Sequence, residues 1–264
     1  VTIMVPTVNA IFTDWIDNDL LKTNAVTKII LTLGVTDVGD LSFRNKSSLL
    51  SIEFPESAKR IGNLAFQNCT GLKDINLEKG IASIAANAFE GCDKLAAINV
   101  PEGNGLYSSK DGLLFNSSGE TLIKCPEGKA TDLTLPEKVK TIGVNAFRRC
   151  KVLNRVTLPE GITVIESHAF SECTGLKGIT IPDSVTSIGD HAFEGTPLTS
   201  VVIPEGVTSI ADQAFSGSQL TSVLIPEGIT SIADSAFSGT QLTSVELPST
   251  LTSIDDFAFY RSAL

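Results

Sequence analysis

Apolar positions recur along this chain at a fixed spacing. The stretch LTSVVIPEGVTSIADQAFSGSQ from Leu198 is followed at once by LTSVLIPEGITSIADSAFSGTQ from Leu220. Aligned on one aromatic position, Phe43, Phe66, Phe89, Phe147, Phe170, Phe193, Phe215, Phe237 and Phe259 fall 23 residues apart early and 22 late, with one break. Nine of the 13 phenylalanines therefore serve one position of a repeat. A period of roughly 20–29 residues marks a solenoid, in which each unit buries its apolar face only against its neighbours.

Each unit reads L-x-x-V-x-I-P-E-G-V-T-S-I-x-x-x-A-F-x-G-C/T-x. Units begin at Val26, Leu49, Leu72, Leu95, Ala130, Leu153, Leu176, Leu198, Leu220 and Leu242, about ten over residues 26–264. The opening L-x-x-V-x-I has period-2 character and aliphatic, β-branched residues, which predicts a short strand. Proline ends the strand because it has no N–H for a ladder. Glu-Gly supplies a turn in which glycine is free to take positive φ. V-T-S-I returns along the other side, and one helical or 3-10 turn around x-A-F closes the coil.

Two regions depart from the pattern. The unit at 95–129 swells to LAAINVPEGNGLYSSKDGLLFNSSGETLIKCPEGK and lacks the Ala-Phe pair. Gly112–Phe115 and Thr121–Lys124 flank Asn116–Glu120, which predicts a hairpin with a five-residue loop. That segment either keeps the coil closed or forms a protruding knob around Tyr107, Lys110 and Asp111. Residues 1–25 are expected to form a cap, a short strand plus an amphipathic helix. In NAIFTDWIDNDLLKT, Ile11, Phe12, Trp15, Ile16, Leu20 and Leu21 fall at roughly helical spacing. Leu264 stands at the first position of another unit, so the last coil is expected to be uncovered and open to self-association.

LTSVVIPEGVTSIADQAFSGS, LKGITIPDSVTSIGDHAFEGT and LNRVTLPEGITVIESHAFSEC resemble the bacterial leucine-rich repeat of the BspA-like, or Treponema, type. The likeness runs from about Val26 to Leu264 and also takes in the YSSKDGLLF insert. It implies a right-handed horseshoe with a parallel β-sheet on the concave face and short 3-10, helical or extended segments on the convex face. It also implies secreted or surface-displayed adhesion to host proteins, with extracellular-matrix or mucosal proteins as the partner class.

Charge narrows the choice of partner. The formal net charge is −10, which disfavours nucleic acid. Residues 177–264 hold ten carboxylates against Lys177 and Arg261, so their partner is expected to be neutral or basic. No apolar run reaches the roughly 18 residues of a membrane span, so membrane insertion is not expected.

In a solenoid, chemistry has to be sought in columns of equivalent positions. Cys69, Cys92, Cys150 and Cys173 share one column, continued by Thr196, Ser218, Thr240 and Ser262; Cys125 lies outside it. Stacked at the coil spacing, their Cβ atoms lie beyond disulfide range, so buried free thiols are expected. Asp190, Asp212, Asp234 and Asp256, with Asn63 and Ser167, precede x-A-F and read as N-caps of the helical turn. Glu160, Asp183, Glu205 and Glu227 form an acidic turn column, read as a solvated face. His168 and His191, the only histidines, adjoin in successive coils near Glu166 and Asp190. A two-histidine metal site with Glu166 or Asp190 is the alternative, but the pair reads as coincidental surface placement, so no metal site is assigned. No cofactor and no catalytic residue is expected, since phosphate-binding glycine loops, G-x-S-x-G and C-x-x-C are all absent.

Binding is expected on the outward strand positions. These are Glu53, Lys73, Asp74, Asn76, Asn99, Asp132, Thr134, Arg155, Thr157, Lys177, Thr180, Val202, Leu224 and Glu246. Ten strands about 4.8 Å apart give a strip roughly 45 Å long. At about 10 Å of usable width that is short of the roughly 800 Å² per partner of a stable interface, so flanking turns should contribute. The expected function is non-enzymatic macromolecule binding by an extracellular or cell-surface protein. The alternative is a structural spacer that stacks on neighbouring domains or copies.

Overall fold

The computed structural model describes residues 2–5, 26–129 and 131–264. It is a parallel-strand solenoid of about ten turns with the leucine-rich repeat fold. The helix expected over 9–23 lies outside the described residues. Two compact units divide the chain: Val1–Gly119 with Lys124–Lys129, and Glu120–Ile123 with Ala130–Leu264.

Each regular coil carries up to two short strands, and equivalent strands of successive coils run parallel. In the first unit Lys28–Leu31 pairs with Ser51–Glu53, and Asp74–Asn76 with Ala97–Asn99. The N-terminal strand Thr2–Val5 pairs in parallel with Lys28–Leu31. The second strands of these coils, Asp37–Val38, Arg60–Ile61 and Ser83–Ile84, form their own ladder. In the second unit, Thr131–Thr134, Leu153–Thr157 and Gly178–Ile179 form one sheet, and Ser200–Val202 pairs with Ser222–Leu224. Thr141–Ile142, Val164–Ile165 and Ser187–Ile188 form another ladder, as do Ser209–Ile210, Ser231–Ile232 and Ser253–Ile254.

The proline turn forms as a four-residue turn. The carbonyls of Pro182, Pro204 and Pro226 accept from Val185, Val207 and Ile229. Its glycine takes positive φ at Gly34 and Gly103 but not at Gly206 and Gly228, so most copies of the turn do not depend on it. Ser184 and Thr250 stand in the same place, and their hydroxyls donate to the carbonyls of Ile162 and Ile229 in the preceding coil, at 2.6 and 2.8 Å.

The segment around Ala-Phe is not helical, and no helix or 3-10 turn occurs among the described residues. In every described coil with an Ala-Phe pair except that of Asn87, the residue before the pair takes left-handed φ: Leu64, Asn145, His168, His191, Gln213 and Ser235 lie between 52° and 58°. So does the residue two past phenylalanine, including Glu172, Gly195 and Gly217. A right-handed helix cannot pass through such residues. Their alternation divides the backbone donors between two sets of acceptors. Ala192, Glu194 and Thr196 donate three residues back, to Gly189, His191 and Phe193. His191, Phe193 and Gly195 donate instead to Asp212, Ala214 and Ser216 of the next coil. The aspartate column therefore does not cap helices. Its backbone carbonyls at Asp190, Asp212, Asp234 and Asp256 receive the N–H groups of the preceding coil.

Side chains repeat that coil-to-coil logic. The phenylalanine rings stack nearly parallel, 5.3 and 5.5 Å apart along Phe43–Phe66–Phe89 and 4.8–5.5 Å apart from Phe147 to Phe259. All five cysteines are buried and none is in a disulfide. The thiols of Cys69, Cys92 and Cys173 donate to the carbonyls of Phe43, Phe66 and Phe147, each in the preceding coil, at 2.9–3.1 Å. Thr196, Ser218 and Thr240 in the same column bond their own coil's phenylalanine carbonyl instead. Threonine hydroxyls add a further ladder, Thr186 to Thr163, Thr230 to Thr208 and Thr252 to Thr230.

The irregular unit supplies by side chain what a missing coil would supply by backbone. Asn68 N–H donates to the Glu90 carbonyl of the next coil, but Gly91 N–H meets the Glu127 carboxylate at 2.9 Å. Ile84 N–H donates to the Tyr107 hydroxyl at 3.2 Å. Asn104 donates to the Ile81 carbonyl and accepts from the N–H groups of Leu106 and Tyr107, each at 2.9 Å. The hairpin here differs from the expected one. Tyr107–Lys110 pairs antiparallel with Leu113–Asn116 across Asp111-Gly112, both residues at positive φ. That is the Asp-Gly signature of a two-residue turn. The expected second arm, Thr121–Lys124, runs parallel to Thr141–Ile142.

Glu127→Ala leaves the buried Gly91 N–H without its acceptor and is expected to cost about 1–3 kcal/mol in urea unfolding, whereas Glu127→Gln keeps an acceptor and costs less. Burial pushes the Cys69 thiol up to about 12 and that of Cys92 well above its usual range. A maleimide at pH 8 is therefore expected to leave the folded chain unlabelled and to reach five thiols in denaturant, as counted by intact mass.

Candidate functional site on the strand face

Alternation in the first strand sends every second side chain out of the core. Val201 is buried, while Ser200 and Val202 on either side of it are exposed. All 14 strand-face residues picked from the sequence are exposed. In the first unit Glu53 lies opposite Ile30 and its carboxylate pairs with Lys28. Asn76 and Asn99 are register partners, with Asn99 Nδ2 donating to Asn76 Oδ1 at 2.9 Å. Lys73 and Asp74 lie beside them on the same coil.

In the second unit Asp132 faces Arg155, and Thr134 faces Thr157. Asp132 also accepts from Asn154 Nδ2 at 3.1 Å. Lys177 and Thr180 flank the strand Gly178–Ile179. Arg155, Thr157, Glu160 and Thr180 line a hollow of about 520 Å³. Val202 faces Leu224 across the next pair of strands, and each is 60% exposed.

Those two side chains form the apolar floor of a second groove, of about 810 Å³, with Leu247 alongside. Asp183, Glu205, Glu227 and Glu246 also line it, and none of its lining residues is basic. The acidic turn column is thus not only a solvated face. It borders the groove because each acidic residue directly follows the proline that ends a strand. That adjacency is present in the sequence but counts only once the strands are stacked. Leu247 gives no comparable signal, since in other coils its place is taken by buried Ile203 and Ile225.

Of the three residues expected to form a knob, Lys110 and Asp111 are exposed at the hairpin turn. Tyr107 is half-buried and turned back onto Ile84, so it does not protrude.

The two histidines are brought together on another face of the second unit. Their rings stack 4.4 Å apart, 16° from parallel. His191 Nδ1 lies 3.1 Å from Glu194 Oε2, and the Ser171 hydroxyl lies 3.4 Å from the same oxygen. Burial holds the His168 imidazole below its ordinary pKa. His191 and Arg148 act in the same direction, while Glu194 and Asp190 oppose them.

The family described as BspA type leucine-rich repeat region matches residues 15–128 and 124–238, in six copies. A leucine-rich repeat protein from Eubacterium ventriosum superposes with a TM-score of 0.70 at 22% identity, over 99% of this chain and 88% of that one. A leucine-rich cell surface protein from Faecalibacterium prausnitzii gives 0.69 at 29% identity, over 87% of this chain and 59% of the other. The pneumococcal vaccine antigen PcpA gives 0.52 at 20% identity, over 88% and 75%. No curated protein sequence matches significantly.

Proposed function

Because the chain belongs to the BspA-type leucine-rich repeat family, we propose that it is a non-enzymatic module of the bacterial cell surface or exterior that binds another protein through its strand face. The observation that carries this reading is the groove over Val202 and Leu224, where exposed aliphatic side chains lie between carboxylates. Exposed aliphatic residues gain by being covered, since each removes apolar area from water. The surrounding charges select what covers them. A segment with apolar side chains and lysine or arginine gains from the floor and from Asp183, Glu205, Glu227 and Glu246 together, while an acidic segment is repelled. A polynucleotide would be repelled in the same way. Location at the surface is supported by the 29% identical cell surface protein, of which this chain spans 59%. Host extracellular-matrix and mucosal proteins are the partner class proposed.

Leu224→Asp places a charge on the apolar floor, and Glu246→Lys reverses charge at its border. Each is expected to weaken capture of immobilised matrix or mucin proteins at least tenfold in surface plasmon resonance. Thr252→Ala, just before the Ser253–Ile254 strand of the other ladder, is expected to leave capture unchanged. Equal capture by all three variants and the unsubstituted chain would exclude the strand face as the binding surface. In the same assay Glu53→Lys and Arg155→Glu show how far the contact extends along each unit.

A further inference from the structure

Among the described residues, His168, His191 and Glu194 form the single group of three histidine, cysteine or carboxylate side chains arranged to share a metal ion, each offering one donor atom within 4.8 Å of the others. The geometry points to a binding site for a zinc-class divalent ion, held by His168 and His191 from adjacent coils and by Glu194.

The fold creates the juxtaposition. His168 and His191 occupy the residue before Ala-Phe, both at a φ of 56°. Identical backbone in adjacent coils projects the two imidazoles in parallel, and the rings stack face to face. Elsewhere in the second unit this position holds Asn145, Gln213, Ser235 and Phe257. Glu194 stands three residues after His191 and its carboxylate bonds both His191 and, from the preceding coil, Ser171. It therefore already leans toward the His168 coil.

A second observation marks the cluster as incomplete. His168 Nδ1 is buried and has no hydrogen-bond partner. A buried imidazole nitrogen without a partner is costly unless something supplies one. A bound cation would do so. The nearby guanidinium of Arg148 is engaged with Glu172 at 3.0 Å, so its charge is partly answered outside the cluster.

The donor set selects the metal. Two imidazoles and one carboxylate suit zinc, copper or nickel, whereas calcium and magnesium prefer oxygen donors alone. Zinc–nitrogen bonds of about 2.0–2.1 Å put tetrahedral donors roughly 3.3 Å apart. Closing the three donors to that spacing takes up to about 1.5 Å of movement in half-buried side chains, and the two stacked rings must rotate so that their in-plane nitrogen lone pairs converge on the ion. Three protein ligands leave a fourth position for water. Held this way, the ion would clamp the coil 153–175 to the coil 176–197.

The test is titration of Zn²⁺ into the metal-stripped, tag-free chain. Calorimetry is expected to find one ion per chain. The paired substitution His168→Asn with His191→Gln installs the side-chain types that the same position carries at Asn145 and Gln213, and is expected to weaken binding more than tenfold. Glu194→Gln is expected to weaken it several-fold. Because the chain has only two histidines, long-range ¹H–¹⁵N imidazole spectra report on both directly, and both signals should move on adding Zn²⁺ to the unsubstituted protein. An unmoved imidazole signal, equal affinity in the paired variant, or a thiolate-to-metal absorption band with Co²⁺ would each overturn the assignment.

Discussion

Everything in this fold depends on where the backbone N–H groups go in the segment around Ala-Phe. A residue of left-handed φ before alanine, and another two past phenylalanine, make alternate peptide groups face alternate ways. Half of the donors close local turns and half reach the next coil. No single coil can satisfy both sets, so each is incomplete without its neighbour. The phenylalanine stack and the thiol ladder follow the same rule, because equivalent atoms recur at one spacing along the pile.

Much of this was legible in the sequence. Period, strand face and buried phenylalanines all follow from apolar spacing, because burial acts on every copy alike. What stayed hidden was handedness within the turn. Leu64, Gln213 and Ser235 carry no sign that they adopt left-handed backbone, and aspartate before a short turn looks the same whether a helix or an alternating turn follows. The repair of the irregular unit was also invisible. Glu127, Tyr107 and Asn104 act as stand-ins for an absent coil, and that role appears only when the unmet N–H and C=O groups of the coil before them can be counted. The Asp111-Gly112 turn is different, since its two-residue signature is explicit in the sequence, one segment before the Asn116–Glu120 loop.

At the candidate site, the exposed strand residues could be named from alternation alone. Their grouping could not. Which carboxylates border Val202 and Leu224 depends on the stacking of four successive coils. The histidine pair shows the same limit. Adjacent in the column alignment, the two imidazoles gain meaning from Glu194, whose carboxylate reaches across to the preceding coil.

The near-identity of the coils at 198–219 and 220–241 has an evolutionary reading. Phe193 N–H meets the Ala214 carbonyl just as Phe215 N–H meets that of Ala236 and Phe237 N–H that of Ala258. Excising or adding 22 residues here presents each flanking coil with acceptors, aromatic faces and apolar edges it already accommodates. Gene-level slippage can therefore lengthen or shorten the array in whole steps, moving the groove over Val202 and Leu224 relative to the rest of the chain without any new core having to be invented.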